Sequence, residues 1–233
     1  MPPAVDVIQL LAKARIFEGV KAAELEVLRP AVRMRSFAKD AAVFREGDPG
    51  SHLYLVKSGQ VKIVRVGQGG SEIVFAVVGP GEVFGELSLF EPEGERSADA
   101  IALQPTECAL LARDPVIAFL LAHPLLLLGM ISSLIGYIER KDRAMAEVAF
   151  LDIPGRVAQK LLELATSRGE RTADGVVIRI PLSQRTLAGM VGASRENVNR
   201  ALHRFVELGH ISQARGTITV LKPDELRRRG TRV

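Results

Sequence analysis

The stretch LSQRTLAGMVGASRENVNRALHRFVELGHI, residues 182–211, decides how the rest of the chain is read. Ser183 is a good N-cap, because its hydroxyl can accept from an amide of the first helical turn. The apolar spacing then predicts a helix from Gln184 to Val191. Gly192 ends it, since glycine takes the left-handed conformation that a helix stop needs. Ala193 completes a tight turn, and Ser194 caps a second helix, with Asn197 where a full capping box would carry Glu. Val198, Ala201, Leu202, Phe205 and Leu208 make the apolar face of that helix, which leaves Arg195, Glu196, Asn199, Arg200 and His203 on other faces. Helix, three-residue turn, helix is the helix-turn-helix layout.

The outward residues suit a polyanion with readable edges. Arginine bonds bidentately to guanine O6 and N7, and a carboxylate accepts from the cytosine amino group. Arg195, Glu196 and Arg200 lie toward the start of the second helix, where base contacts are made. Ser183, Gln184 and Arg185, at the start of the first, suit phosphates. The following HISQARGTITV, with an Arg-Gly turn, predicts a hairpin wing over the backbone. Charge agrees: residues 1–151 carry 16 basic and 19 acidic side chains, residues 152–233 carry 15 and 8. A basic module on a slightly acidic body suggests a polyanionic partner, and together with the helix-turn-helix layout the expected partner is double-stranded DNA. The plainer alternative is a helical hairpin with a solvated charged face. Two caps, the arginines, the hairpin and the local charge all weigh against it.

Upstream, residues 5–30 show helix-like spacing in Val7, Leu10, Leu11 and Ala14. From Phe37 to Leu111 short strands broken by Gly, Pro and Asp predict a compact antiparallel β sandwich or roll. Val116 to Ile138 is free of Asp, Glu, Lys and Arg, so a membrane span has to be weighed. His123-Pro124 interrupts the run, and Pro124 suits a first helical turn. Leu127, Ile131, Leu134, Ile138, Lys141, Met145 and Val148 also step as a heptad seam beyond the apolar stretch. The expectation is a helix packed against its copy in a homodimer, with no membrane; burial inside one monomer is the alternative. Pro154 opens another helix, and the tail RRRGTRV is expected to fray.

One cysteine, Cys108, makes no internal disulfide, iron–sulfur cluster or zinc site, and sits in an apolar run as a core residue. The Met-Pro-Pro start lacks a secretory signal, so a reducing cytoplasm is expected. Four scattered histidines form no evident triad or metal set, and an enzyme is not expected.

FGELSLFEPEGERSADA, residues 84–100, combines a glycine turn, four glutamates and one arginine. At Gly85 a ligand can approach the backbone. Ser88, Leu89 and Phe90 can form a short turn whose amides favour an anion. Arg96 suits a phosphate, and Glu86 can accept from a sugar hydroxyl. From these residues alone, a Glu–Arg surface pair in a turn is equally open.

FGELSLFEPEGERSA resembles the phosphate-binding cassette of the CRP/FNR superfamily of bacterial transcription regulators, nearest its cyclic-AMP receptor branch. EGDPGSHLYLVKSG resembles that branch's β-roll signature, AFLDIPGRVAQKLL its hinge and following helix, and VGASRENVNRAL its recognition helix. The resemblance implies an α+β fold: an N-terminal cyclic-nucleotide-binding β-roll (1–115), a dimerisation helix and hinge (116–151), and a C-terminal winged helix-turn-helix domain (152–233). It implies Arg96 and Ser97 on a cyclic phosphate, Glu86 on the ribose hydroxyl, and Gly85, Leu87, Ser88 and Ala98 around the ligand. It implies that Ser194, Arg195, Glu196, Asn199 and Arg200 meet DNA with a TGTGA-type half-site, and that RNA polymerase is a partner. The branch's hydroxyl-bearing pair on the dimer helix is replaced by Lys141 and Asp142. An ammonium only donates, so Lys141 cannot accept from adenine N6, whereas Asp142 can. Lys141 could instead reach guanine O6. Cyclic AMP is the expected effector; cyclic GMP, another nucleotide, or a ligand-free active form with Lys141 and Asp142 paired across the dimer stay open. With one cysteine, and no histidine between His52 and His123, neither an iron–sulfur cluster nor haem is expected.

Overall fold

The computed structural model describes residues 7–67, 71–90, 94–178, 183–214 and 217–230. They group into two compact units, residues 1–65 with 75–136, and residues 66–74 with 137–233.

The first unit is built on two four-stranded antiparallel sheets. One has the order β1 (Val32–Phe37), β8 (Thr106–Ala112), β3 (His52–Ser58), β6 (Val83–Phe84). The other runs β2 (Ala42–Phe44), β7 (Asp99–Ala102), β4 (Val61–Val66), β5 (Glu72–Val78). Strand alternation sorts the side chains into two cores. Tyr54, Val56, Cys108 and Leu110 point between the sheets, with Phe44, Val61 and Phe84. Leu53, Leu55, Ala109 and Leu111 point the other way, against a helical layer that includes Phe17, Leu25, Leu28 and Phe119. Phe17 and Phe119 meet edge to face at 5.9 Å. Cys108 is fully buried, and burial pushes its thiol up to about 12.

The helix-like spacing of residues 5–30 resolves into several short helices. Among the described residues before β1, Val7–Ala12 (α1) and Ala22–Leu25 (α2) are α-helical, with 3₁₀ helices of one turn at Arg15–Phe17 and two turns at Glu26–Ala31. The apolar run after β8 is also two helices, α3 (Arg113–Ala122) and α4 (Pro124–Phe150), with Pro124 opening the second. No single helix among the described residues is long and apolar enough to cross a membrane.

The expected seam on α4 is shifted on one side. Leu127 packs against the β-roll core of its own chain. The exposed apolar stripe runs through Leu128, Ile131, Ile135, Ile138 and Met145, with Leu125 and Val148 beside it. Every seventh residue of the predicted seam stays (Ile131, Ile138, Met145). The intervening set moves on by one residue, which carries Asp142 rather than Lys141 onto the stripe.

The second unit contains α5 (Ile153–Arg168), α6 (Gln184–Val191), α7 (Arg195–Glu207) and α8 (Pro223–Gly230) around a sheet β11 (Ile211–Ala214), β12 (Thr217–Val220), β10 (Gly175–Ile178), β9 (Gly169–Thr172). Asp152 caps α5 by accepting from the Gly155 amide at 2.9 Å. The expected fraying of the tail is overturned from Arg227 to Gly230: these residues finish α8, and Leu226 is wholly buried in the α5–α7 core. Leu226 in the core and the Arg229–Asp152 pair tie this segment to residues distant in sequence, which local composition does not reveal. The wing strands β11 and β12 pair as expected, while their Arg215-Gly216 turn lies outside the described residues.

Candidate nucleotide pocket and nucleic-acid interface

The pocket is assembled by a turn, a one-turn helix and an arginine. Gly85 follows β6 with φ +80°, and a Cβ there would lie 2.6 Å from Arg96 Nη1. The chain then forms a 3₁₀ turn at Leu87–Leu89, one residue earlier than the sequence suggested, with Glu86 at its N-cap position. Arg96 is anchored by its backbone, its amide donating to Asp48 and its carbonyl accepting from Gly47, both at 2.9 Å.

The Arg96 side chain is only 3% exposed. Nη1 donates to the Gly85 carbonyl and to Ser88 Oγ, each at 2.8 Å, and Nη2 to the His52 carbonyl at 2.6 Å. Its guanidinium lies 4.3 Å above the Phe44 ring and 5.5 Å from that of Tyr54. Tyr54 in turn stacks on Phe84 at 5.1 Å. The surface Glu–Arg pair considered from sequence is replaced by this buried, oxygen-lined seat. Arg96 Nε is buried with no hydrogen-bond partner among the described residues. Burial pulls the Arg96 pKa down and pushes that of the Glu86 carboxyl up, with Arg96 opposing the Glu86 shift. Burial also lowers the His52 imidazole, helped by Arg96 and Arg33.

Ser97 is exposed and Ala98 buried, and the Ser97 carbonyl accepts from Arg65 at 2.8 Å. Glu95 is exposed, whereas Glu91 and Glu93 lie outside the described residues. Gly50 also shapes this site, since a Cβ there would sit 2.3 Å from Ser88 Cβ. Sequence reading missed Phe44, Tyr54, Gly50 and the His52 carbonyl. The aromatic residues gave a weak signal as inward positions of separate strands. On α4, Lys141 is half-buried with its ammonium 5.1 Å from the centre of the Tyr137 ring, and Asp142 is exposed.

In the second unit the two capping expectations are met. Ser183 accepts from the Thr186 amide at 3.0 Å, and Ser194 from the Asn197 amide at 3.3 Å. Gly192 is left-handed, with φ 63° and ψ 48°. Arg156, overlooked in the sequence, donates to the Val191 carbonyl at 2.7 Å and so pins the turn to α5. Gln184 ties the helices together: Nε2 donates to Asn199 Oδ1 at 2.8 Å, and Oε1 accepts from Arg195 Nε at 3.4 Å. Arg195, Glu196 and His203 are exposed. Arg200 is exposed and bonds Asn197, and Arg185 pairs with Glu72 at 3.1 Å.

Two family models match the chain: a cyclic nucleotide-binding domain over residues 34–123 and a Crp-like helix-turn-helix domain over residues 155–229. The chain belongs to the CRP/FNR superfamily. It is 34% identical over 221 residues to a CRP-like cAMP-activated global transcriptional regulator of Mycobacterium tuberculosis, covering 95% of this chain and 98% of that one. It is 35% identical to the cyclic AMP receptor protein of Thermus thermophilus, covering 88% and 91%. The structure of FixK2 from Bradyrhizobium japonicum superposes with a TM-score of 0.76 at 21% identity, covering 87% of this chain and 98% of that one, and speaks for the fold alone. This CRP/FNR-type protein is therefore a cyclic-nucleotide-binding, DNA-binding transcription regulator.

Proposed function

We propose that cyclic AMP is the effector, held in the pocket of Gly85, Glu86, Leu87, Ser88, Arg96, Ser97 and Ala98. The observation that carries this reading is the buried Arg96, seated on Phe44 and Tyr54 with Nε unpartnered. Its Nη groups bond neutral oxygens, and a cyclic phosphate is a stronger, charge-assisted acceptor for the same donors. Glu86 takes the ribose hydroxyl. Asp142 accepts from adenine N6, and Lys141 supplies donors only. The names of the Mycobacterium and Thermus relatives support cyclic AMP.

In this reading residues 1–115 bind nucleotide, 116–151 form the dimer helix and hinge, and 152–233 read DNA. Two copies join through α4. Ser194, Arg195, Glu196, Asn199 and Arg200 meet a TGTGA-type palindrome, and Ser183, Gln184 and Arg185 its phosphates. The two-fold symmetry of such a dimer calls for a palindrome. Cyclic AMP must bind the DNA-competent state more tightly than the other to shift the population. The setting is the cytoplasm and RNA polymerase the downstream partner.

Calorimetry of the full chain with cyclic AMP and cyclic GMP tests the effector. Cyclic AMP should bind more tightly, and Arg96→Ala should weaken it about tenfold or more. Unchanged affinity in that variant would remove the pocket assignment. Tighter cyclic GMP binding would reassign the base contacts of Lys141 and Asp142. A gel shift on the palindrome that is equal with and without nucleotide would favour a ligand-independent regulator.

A further inference from the structure

A second cavity, of about 650 Å³, lies wholly within the C-terminal unit among the start of α5, the flank of α7 and α8. That volume falls in the range of small-molecule sites, about 300–1,000 Å³. Its apolar wall is Ile153, Pro154, Phe205 and Leu208. Arg200, Arg204, Arg228 and Arg229 also line it, against one carboxylate, Glu225. His210 closes one side. Its ring lies near-parallel to Phe205 at 6.2 Å, and its Nδ1 is buried with no hydrogen-bond partner among the described residues.

We propose that this cavity binds a small phosphorylated molecule with a flat apolar body, of about nucleotide size. Four guanidiniums line it against three neighbouring carboxylates, which leaves a net positive charge for an anion, and Arg engages phosphate bidentately. Three of these arginines already have carboxylate partners: Arg204 with Glu207 at 3.3 Å, Arg228 with Glu225 at 2.9 Å, and Arg229 with Asp152. Such pairs, with one or both partners exposed, contribute little, and each guanidinium carries five N–H donors, so a phosphate can add to them. The apolar wall needs an apolar body to cover it.

The site differs from the DNA-reading surface. Arg195, Glu196, Asn199 and His203 occupy one side of α7, whereas Asn197, Ala201, Arg204 and Leu208 occupy the flank that lines the cavity. Arg200 borders both. The cavity also touches the first turn of α5, next to the proposed hinge.

Adenosine diphosphate, which joins a flat body to phosphates, is the probe. Calorimetry on the full chain saturated with cyclic AMP should show saturable binding that excess cyclic AMP does not displace. Leu208→Trp, which fills the cavity, and Arg204→Ala/Arg228→Ala should each weaken it about tenfold or more. All three side chains involved are surface-reaching, and a thermal melt checks that both variants stay folded. Adenosine and inorganic pyrophosphate should each bind more weakly than the diphosphate. Displacement by cyclic AMP, wild-type affinity in both variants, or pyrophosphate binding as tightly as the nucleotide would each overturn the assignment. None of these results bears on whether Arg96 holds a cyclic nucleotide.

Discussion

At the scale of single residues, burial moves the pKa values of Arg96 and Glu86 in opposite directions. Burial disfavours charge on both, but a guanidinium stays ionised because its ordinary pKa is so high. Burial raises the Glu86 carboxyl above the ordinary carboxylate range. If its carboxylate accepts the ribose hydroxyl, cyclic nucleotide affinity falls as pH drops through that raised value, earlier than for a solvated glutamate. Calorimetry at about pH 7.5 and about pH 5 should show this loss, and Glu86→Gln should abolish the pH dependence while lowering affinity at the higher pH. Protonation of the neighbouring His52 would act in the opposite sense, by adding positive charge near an anion. A pH response that persists in Glu86→Gln would assign it elsewhere. Gly85 and Arg96 were legible because the cassette keeps both ends in one short stretch. The Phe44–Tyr54 seat was not: its rings come from separate strands and meet only when the sheets close.

Among the elements, α5 shows how a local signal and a distant contact combine. Asp152 caps the helix through the Gly155 amide and also bonds Arg229 from α8. Burial alone would raise its carboxyl, but the Arg229 and Gly155 bonds outweigh burial and hold it below the usual range. Its folded pKa is thus lower than its unfolded one. The stabilisation is complete above about pH 4 and is lost as pH falls through the folded value. Asp152→Ala should therefore destabilise the C-terminal unit by about 1 kcal/mol at neutral pH, as cap removal does. Urea melts should show the difference between wild type and variant shrinking in acid; a constant difference would refute the cap's role. Helices α6 and α7 were legible because caps and a left-handed glycine are local features. Helix α8 was hidden, since Leu226 is ordered by packing against α5. Strands β3 and β8 lost their alternation in the sequence because both faces are buried, which turns a period of two into a continuous apolar run.

For the whole molecule, the exposed stripe on α4 is the feature one chain leaves unexplained. Leu128, Ile131, Ile135, Ile138 and Met145 are each more than half exposed along a single helix. A run of this kind marks an interaction surface rather than scattered surface apolars. Its steps of three and four are those of two helices packed side by side. The seam read from sequence had the right period but mixed two faces, because heptad spacing does not reveal which neighbour Leu127 already has. If the stripe joins two copies, Ile131→Asp/Ile138→Asp places two carboxylates at the centre of the interface and should convert a sedimenting dimer to a monomer. The isolated unit that carries α6 and α7 should still fold, since its core includes neither residue. Operator affinity should then fall about a hundredfold or more, because the second half-site no longer binds as part of the same particle. Sedimentation velocity and a gel shift on one preparation check both effects. A double variant that remains dimeric would place the interface elsewhere. One that is monomeric yet binds the palindrome at wild-type strength would separate dimerisation from DNA recognition.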